Sequence, residues 1–436
     1  MQAAKRFIVA LALSVGSCFQ QPTDRVRVDP AVEPAVDVVL NAFAKHTLVA
    51  LSDGAGHGQV DTRDLYVSLI RDARFHRNVR NVVIEFGNAR YQSVMDRYAS
   101  GAPVARDELR LVWEETTQIS GIWSRPMYEE MLAATRAVNA RLPAEHRIRV
   151  LLGDPPIDWS VVTSPADEDM NDWRDAHFAH VVERDIMRRN DKALLVIGGA
   201  HIGRSVVFPN SLIHLLDRRF PGQTWVVGVL DSGRIEPGIR KRMQAWMPPA
   251  GAAVRGTWLG KVDVKRIGFE LSEGLVEDDV DALLLLTSGP PRLSDATALD
   301  PTYHVELSRR RTLAQATLPF RGAQIRFKED RPAFTADTDD ALLAVLTELR
   351  RDPGLRLLVK AFADQGESDG AALSMHRAEL VVAWLAAHGI ERHRLIPKGC
   401  GARRPLDFGH TAAGRAMNRR AELVRFAPEA GCDPPW

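Results

Sequence analysis

Short apolar runs alternate with longer amphipathic stretches from Thr47 to Leu286. The runs are Thr47–Ser52, Val82–Phe86, Ile148–Leu152, Ala193–Ile197, Trp225–Leu230 and Ala282–Leu286. Their Val, Ile and Leu residues sit at consecutive positions rather than every second one, the pattern of a strand covered on both faces, and a mostly parallel sheet is predicted. Between the runs, Asp61–Arg77 places Leu65, Leu69, Ile70 and Ala73 at helical spacing, and Tyr128–Leu142 and Trp173–Met187 behave alike. These read as crossover helices, so residues 36–310 are expected to form an α/β domain with helices on the faces of its sheet. Met247–Gly256 reads as an irregular insertion, and the basic run Arg309–Arg311 as a solvated linker or helix end, with 311–321 as the linker.

Beyond the linker the period changes again. Strands are expected at Ile325–Phe327, Leu355–Phe362, Leu395–Lys398 and Ala421–Phe426, with helices at Asp339–Arg350 and Ser374–His388. In the second helix Ser374 is a good N-cap, Ala378, Val381, Val382 and Leu385 form an apolar stripe, and Gly389 supplies a left-handed stop. This is a small α/β sandwich.

A chain of 436 residues, 45% hydrophobic and 26% charged, agrees with two globular domains. Lys plus Arg (57) nearly cancel Asp plus Glu (56), which removes the charge footprint of a nucleic-acid binder. At the N-terminus, Lys5 and Arg6 precede a short apolar stretch, Phe7–Val15, and then Gly16-Ser17-Cys18. Residues 1–18 read as an export signal. Its end resembles the lipobox at which a bacterial lipoprotein is cleaved and lipidated, here on Cys18; the alternative is an ordinary secretory signal. Residues 19–35 read as a tether. Outside the cytoplasm Cys400 and Cys432 are free to pair, the alternative being two separate thiols with Cys400 in the core.

The candidate chemistry lies at the ends of the apolar runs, where Asp53, Glu85, Asp154, His201 and Asp231 stand. Carboxyl ends of parallel strands share one edge of the sheet, and ligands bind there. Two of the loops have one form, Gly54-Ala55-Gly56-His57 and Gly198-Gly199-Ala200-His201. With LVALSDGAGHG, NVVIEFGNARY and RDIMRRNDKALLVIGGAHIGR, the stretch from about 45 to 290 resembles the erythromycin-esterase-like, ChaN-like and TraB/Tiki group. It departs from the esterase members in carrying Asp53 four residues before His57 rather than a Glu three before. Chemically, the set suits hydrolysis of an ester, amide or peptide bond, with His57, Glu85, His201 and Asp53 as catalytic candidates. One device is a divalent zinc, manganese or iron ion held by His57, Glu85, Asp154 and His201. The other is His57 as general base, oriented by Asp53 or Glu85, with His201 stabilising the oxyanion. The ChaN-like resemblance implies a competing reading, a non-catalytic haem or ligand binder or scaffold lipoprotein. Arg184, His177 and His180 on one helix, and Trp113, Trp123 and Trp159, are lesser candidates. A Gly-x-Ser-x-Gly elbow, a phosphate loop and a dinucleotide fingerprint are all missing from the sequence.

The second domain carries Asp364 in Ala-Asp-x-Gly, Leu373-Ser374-x-x-Arg377-Ala378, Gly389-Ile390, Gly399-x-Gly401, Pro405, and Gly414-Arg415-x-x-Asn418-Arg419-Arg420-Ala421-Glu422-Leu423. In this order the motifs resemble an OmpA-like peptidoglycan-binding domain over 322–427, followed by a tail, 428–436. The resemblance implies that Asp364 and Arg377 grip the ammonium and carboxylate of diaminopimelate in the stem peptide, supported by Arg415, Asn418 and Arg419. The loop between Asp364 and Arg377 is shorter than usual, Ala363 replaces a frequent Thr, and Gly370 stands where Asn is expected. The place implied is the cell envelope, at the outer membrane facing the periplasm.

Overall fold

The computed structural model describes residues 28–54, 57–162, 171–206, 211–295, 300–315, 325–403, 405–407, 411–426 and 432. The export segment with Cys18, and all of the 428–436 tail but Cys432, lie outside the described residues. Among the described residues no helix is long and apolar enough to cross a membrane.

The first domain is built on eight strands: β1 (Glu33–Pro34), β2 (Leu48–Ser52), β3 (Arg80–Asn88), β4 (Arg149–Asp154), β5 (Lys192–Ile197), β6 (Thr224–Leu230), β7 (Ala250–Ala253) and β8 (Ala282–Leu285). They lie in the order β1-β7-β8-β6-β2-β5-β3-β4. From β8 to β4 every pairing is parallel; β7 and β1 close one edge antiparallel. The central strands are buried on both faces, as their continuous apolar runs require. In β2, Leu48 and Ala50 pack into one core cluster, while Val49 and Leu51 pack into another. Helix Val60–Arg71, which follows β2, covers the second face, and helix Leu212–Arg219, beyond β5, covers the first. The chain leaves neighbouring strands toward opposite faces, and a crevice opens between at their carboxyl ends.

Four sequence-based expectations need correction. Residues 28–35 are not tether: Val28 bridges Thr257, and β1 pairs with β7, whose backbone would otherwise form an open edge. Met247–Gly256 holds β7 rather than an irregular insertion. Asp61–Arg77 is two helices, Val60–Arg71 and Ala73–Asn78, because Asp72 turns extended and caps the second through the Arg74 amide. Arg309–Arg311 belongs to helix Pro301–Gln315, so the first domain runs past 311. Arg310 is 1% exposed; it lies over the Trp159 and Tyr303 rings and donates to Glu306 and the Glu114 carbonyl.

The second domain has β9 (Ile325–Arg326), β10 (Leu357–Ala361), β11 (Leu395–Gly399) and β12 (Arg420–Arg425) in the order β11-β10-β12-β9. Only β10 and β11 are parallel. Helices Asp339–Arg351 and Gly370–Ala387 pack on this sheet, joining Leu342, Val345 and Leu349 to Ala378, Val381 and Leu385. The second helix starts before Ser374: its cap is Asp369, which accepts from the Ala372 amide, whereas Ser374 is buried and binds the Ala371 carbonyl and the Gly401 amide. Cys400 and Cys432 form a disulfide. Leu406 and Met417 join the core of the first domain, and Arg218 and Arg219 reach across to Asp407.

Candidate functional site

Because β2, β5 and β3 are neighbours, Asp53, the loop after β5 and Glu85 meet at the crevice. His57, with φ +60°, places Nδ1 2.6 Å from Asp53 Oδ2. Asp53 Oδ1 is buried with no hydrogen-bond partner among the described residues. Behind the pair, the Tyr128 hydroxyl accepts from the Gly58 amide at 2.8 Å and reaches Asp53 Oδ2 at 3.5 Å, and His57 stands edge-on to Trp123. Glu85, 1% exposed inside β3, accepts from the Gly198 amide and from Arg174, both at 2.7 Å. His201 Nε2 lies 3.4 Å from the Glu85 carboxylate. Its Nδ1 is held at 2.8 Å by Asp175, which also accepts the Leu212 amide. Both imidazoles thus converge on Glu85, each oriented from behind by an aspartate.

Burial opposes charge on His57, but the charge and hydrogen bond of Asp53, with the charge of Glu85, outweigh it and raise the pKa to about 9. For His201, burial again opposes, and Asp175 and Glu85 lift it to about 10. Burial pushes Glu85 upward; Arg174, His201 and His57 win and hold it well below the usual carboxylate range. Both shifts favour the protonated rings at neutral pH, as hydrogen-bond donors in the crevice.

The remaining candidates divide. Asp154 is fully buried, and its oxygens are taken by the Thr117 amide and hydroxyl and by Arg174. Among the described residues, the group whose ligand atoms lie within 4.8 Å of one another is Asp53, His57 and Glu85, where the expected set was His57, Glu85, Asp154 and His201. Asp231 stays in its own loop, accepting from the Gly233 amide. Arg184 points outward to Asp185, and His177 lies against the Gly153 carbonyl, its pKa lowered by burial to about 4. Sequence reading missed Arg174, Asp175 and Tyr128. All three sit on stretches recognised as helices, but only the packed rotation of a helix shows which side chains face the sheet edge. Beside the histidines lies a cavity of about 400 Å³.

In the second domain Asp364 accepts from the Gly366 amide and from Asn418, both at 2.9 Å. Arg377 is not an open fork beside it. It is 0% exposed, bidentate on Glu367 at 2.5 and 2.7 Å, and donates to the carbonyls of Phe362, Lys328 and Arg331. All its donors are used. Arg415 is the guanidinium near Asp364 that reaches solvent, its side chain 32% exposed. Asn418 joins Asp364 to the Asp407 carbonyl, and Arg419 binds the Phe327 carbonyl, its Nη1 buried with no partner among the described residues.

An α/β domain with an acid–histidine cleft is thus joined to a small four-stranded sandwich. Residues 326–419 match the OmpA family and form an OmpA family domain. Over 105 residues the chain is 30% identical to the peptidoglycan-binding protein ArfA of Mycobacterium tuberculosis, covering 24% of this chain and 32% of ArfA. Over 78 residues it is 32% identical to the peptidoglycan-associated lipoprotein of Legionella pneumophila, covering 17% of this chain and 44% of that protein. The chain therefore spans less than half the length of these curated relatives. The solved type III effector HopBA1 is 12% identical, covering 62% of this chain and 100% of that one, with a TM-score of 0.37.

Proposed function

We propose that this is a cell-envelope protein, held at peptidoglycan by its OmpA family domain, whose first domain hydrolyses an ester, amide or peptide bond. The anchoring follows from the family match and from relatives named for peptidoglycan. The Cys400–Cys432 disulfide supports an oxidising compartment. Export through residues 1–18, lipidation of Cys18 and an outer-membrane anchor complete this reading. On the wall side, Asp364 takes the diaminopimelate ammonium, with Arg415 as the exposed guanidinium beside it. Arg377, Asn418 and Arg419 hold the loop. Replacing Asp364→Asn should abolish sedimentation of the full chain with peptidoglycan; unchanged sedimentation overturns the assignment.

The hydrolase reading rests on one observation, the convergence of His57 and His201 on Glu85 at the mouth of a cavity. Water adds through its oxygen to the substrate carbonyl, the C–O or C–N bond breaks, and the water proton leaves with the alcohol or amine. The charged imidazoles donate to the carbonyl oxygen and to the leaving group. His57 gives its proton to the leaving group and takes one back from the added water, held throughout against Asp53, so the ring ends protonated as it began. The resemblance to the erythromycin-esterase-like, ChaN-like and TraB/Tiki group supports the same site. Asp53, His57 and Glu85 also fit a divalent cation by donor type and closeness, against the opposing charge of Arg174. Such an ion, when bound, would polarise the carbonyl and acidify water. An ester and peptide panel tests the reading. His57→Ala and His201→Ala should each lower turnover by at least about a hundredfold, and equal turnover in all three proteins refutes it.

A further inference from the structure

The cavity beside the histidines has a chemical character that the reacting groups do not explain. Its apolar wall is made by Ile202, Val206, Val229, Phe269, Leu271 and Val280. Leu271 is 49% exposed at the rim, an apolar side chain left uncovered. Two glycines make the shape possible. A Cβ on Gly228 would stand 2.8 Å from the Phe269 ring, so only glycine lets that ring lie on β6 as a shelf. Gly268, at φ +88°, has the Arg234 side chain over it, 2.5 Å from where a Cβ would be.

Arg234 also lines the cavity, with its side chain 53% exposed. Its nearest carboxylate, Asp231, is 3.5 Å away at Nε, and the outer end of the guanidinium has no hydrogen bond among the described residues. Asp279, another lining residue, is already turned to the Ser205 amide and hydroxyl at 2.8 Å. Glu270 is exposed at the rim. The space of about 400 Å³ lies at the small end of ligand pockets, enough for a chain of modest length and too small for a macrocycle or a folded peptide.

We infer that this cavity takes a substrate with a flexible apolar chain whose far end carries a carboxylate or similar anion. The anion meets Arg234, the chain lies on Phe269 and the valines, and the scissile carbonyl reaches His57 and His201. The fate of the substrate rests on the hydrolase reading; its binding does not.

The test uses the full chain and two probes, monomethyl suberate, which ends in a carboxylate, and dimethyl suberate, which is neutral. Calorimetry should find the monoester bound at least about tenfold more tightly. Arg234→Gln should remove that preference, and Arg234→Lys should keep most of it. Arg234 is half exposed, so the variants should fold, and circular dichroism checks this. Equal affinity for the two probes, or a preference untouched in Arg234→Gln, overturns the inference. Turnover of the 4-nitrophenyl monoester of suberate against 4-nitrophenyl nonanoate separates the two readings. If the binding preference holds but neither ester is cleaved, the hydrolase reading fails alone; if both are cleaved equally, with no binding preference, the inference fails alone.

Discussion

Single side chains decide most of what these sites can do. Arg377 and Glu367 are both buried, so deleting either leaves the other charge without a partner or water. Arg377→Ala is expected to cost the second domain about 3–5 kcal/mol, whereas Asp364→Asn should change stability little and wall binding greatly. Denaturant titration of both variants checks the contrast, and equal stabilities would refute the structural role of Arg377. In the first domain the sign of the pH effect follows from raised histidine pKa values. The folded state holds protons on His57 and His201 up to about 9 and about 10, while the unfolded rings release theirs near 6.5. Their contribution to stability is complete below about 6.5 and is lost as pH rises through 9 to 10. Melting temperature should therefore fall across that alkaline range, and less steeply in His57→Gln. The His57 proton must leave before an ion binds, so zinc affinity measured by calorimetry should rise with pH toward about 9.

At the scale of elements, the apolar runs marked the parallel strands because a strand buried on both faces has no polar positions to interrupt it. The helix ends were less legible. Asp369 and Ser374 are both good capping types, and only the chain path chooses between them. Asp369 adopts φ +48° and accepts the Ala372 amide. Asp369→Ala forfeits that bond and keeps an unfavourable backbone, costing about 1–3 kcal/mol by denaturant titration. Asp369→Gly, which loses the cap but relieves the backbone, should cost less. Helix Asn171–Asp185 makes the same point for the site. Its period is legible in the sequence, but Arg174 and Asp175 do not stand out among its many charged residues. Their roles arise because the helix packs beside β4 and turns both toward Glu85 and His201.

Over the whole molecule, the domains meet where Arg218 and Arg219 reach Asp407, whose side chain is 0% exposed. Asp407→Ala removes the carboxylate from two guanidiniums across this contact. It should loosen the domains, seen as a larger radius of gyration in solution scattering; an unchanged radius would refute this. The disulfide encloses a sequence separation of 32 residues, and its reduction should destabilise the second domain by about 3–4 kcal/mol through the freed chain entropy.

The α/β class, the two domains, the acids at strand ends and the paired histidine loops were determined by local pattern, because burial period and turn chemistry are written into neighbouring residues. The docking of 28–35 on β7, the burial of Arg310, the closure of Glu367 on Arg377 and the placing of Asp175 behind His201 were decided only by the tertiary structure. Each depends on which distant surface a side chain meets, and on whether water is left there to solvate its charge, and neither is set by sequence neighbours.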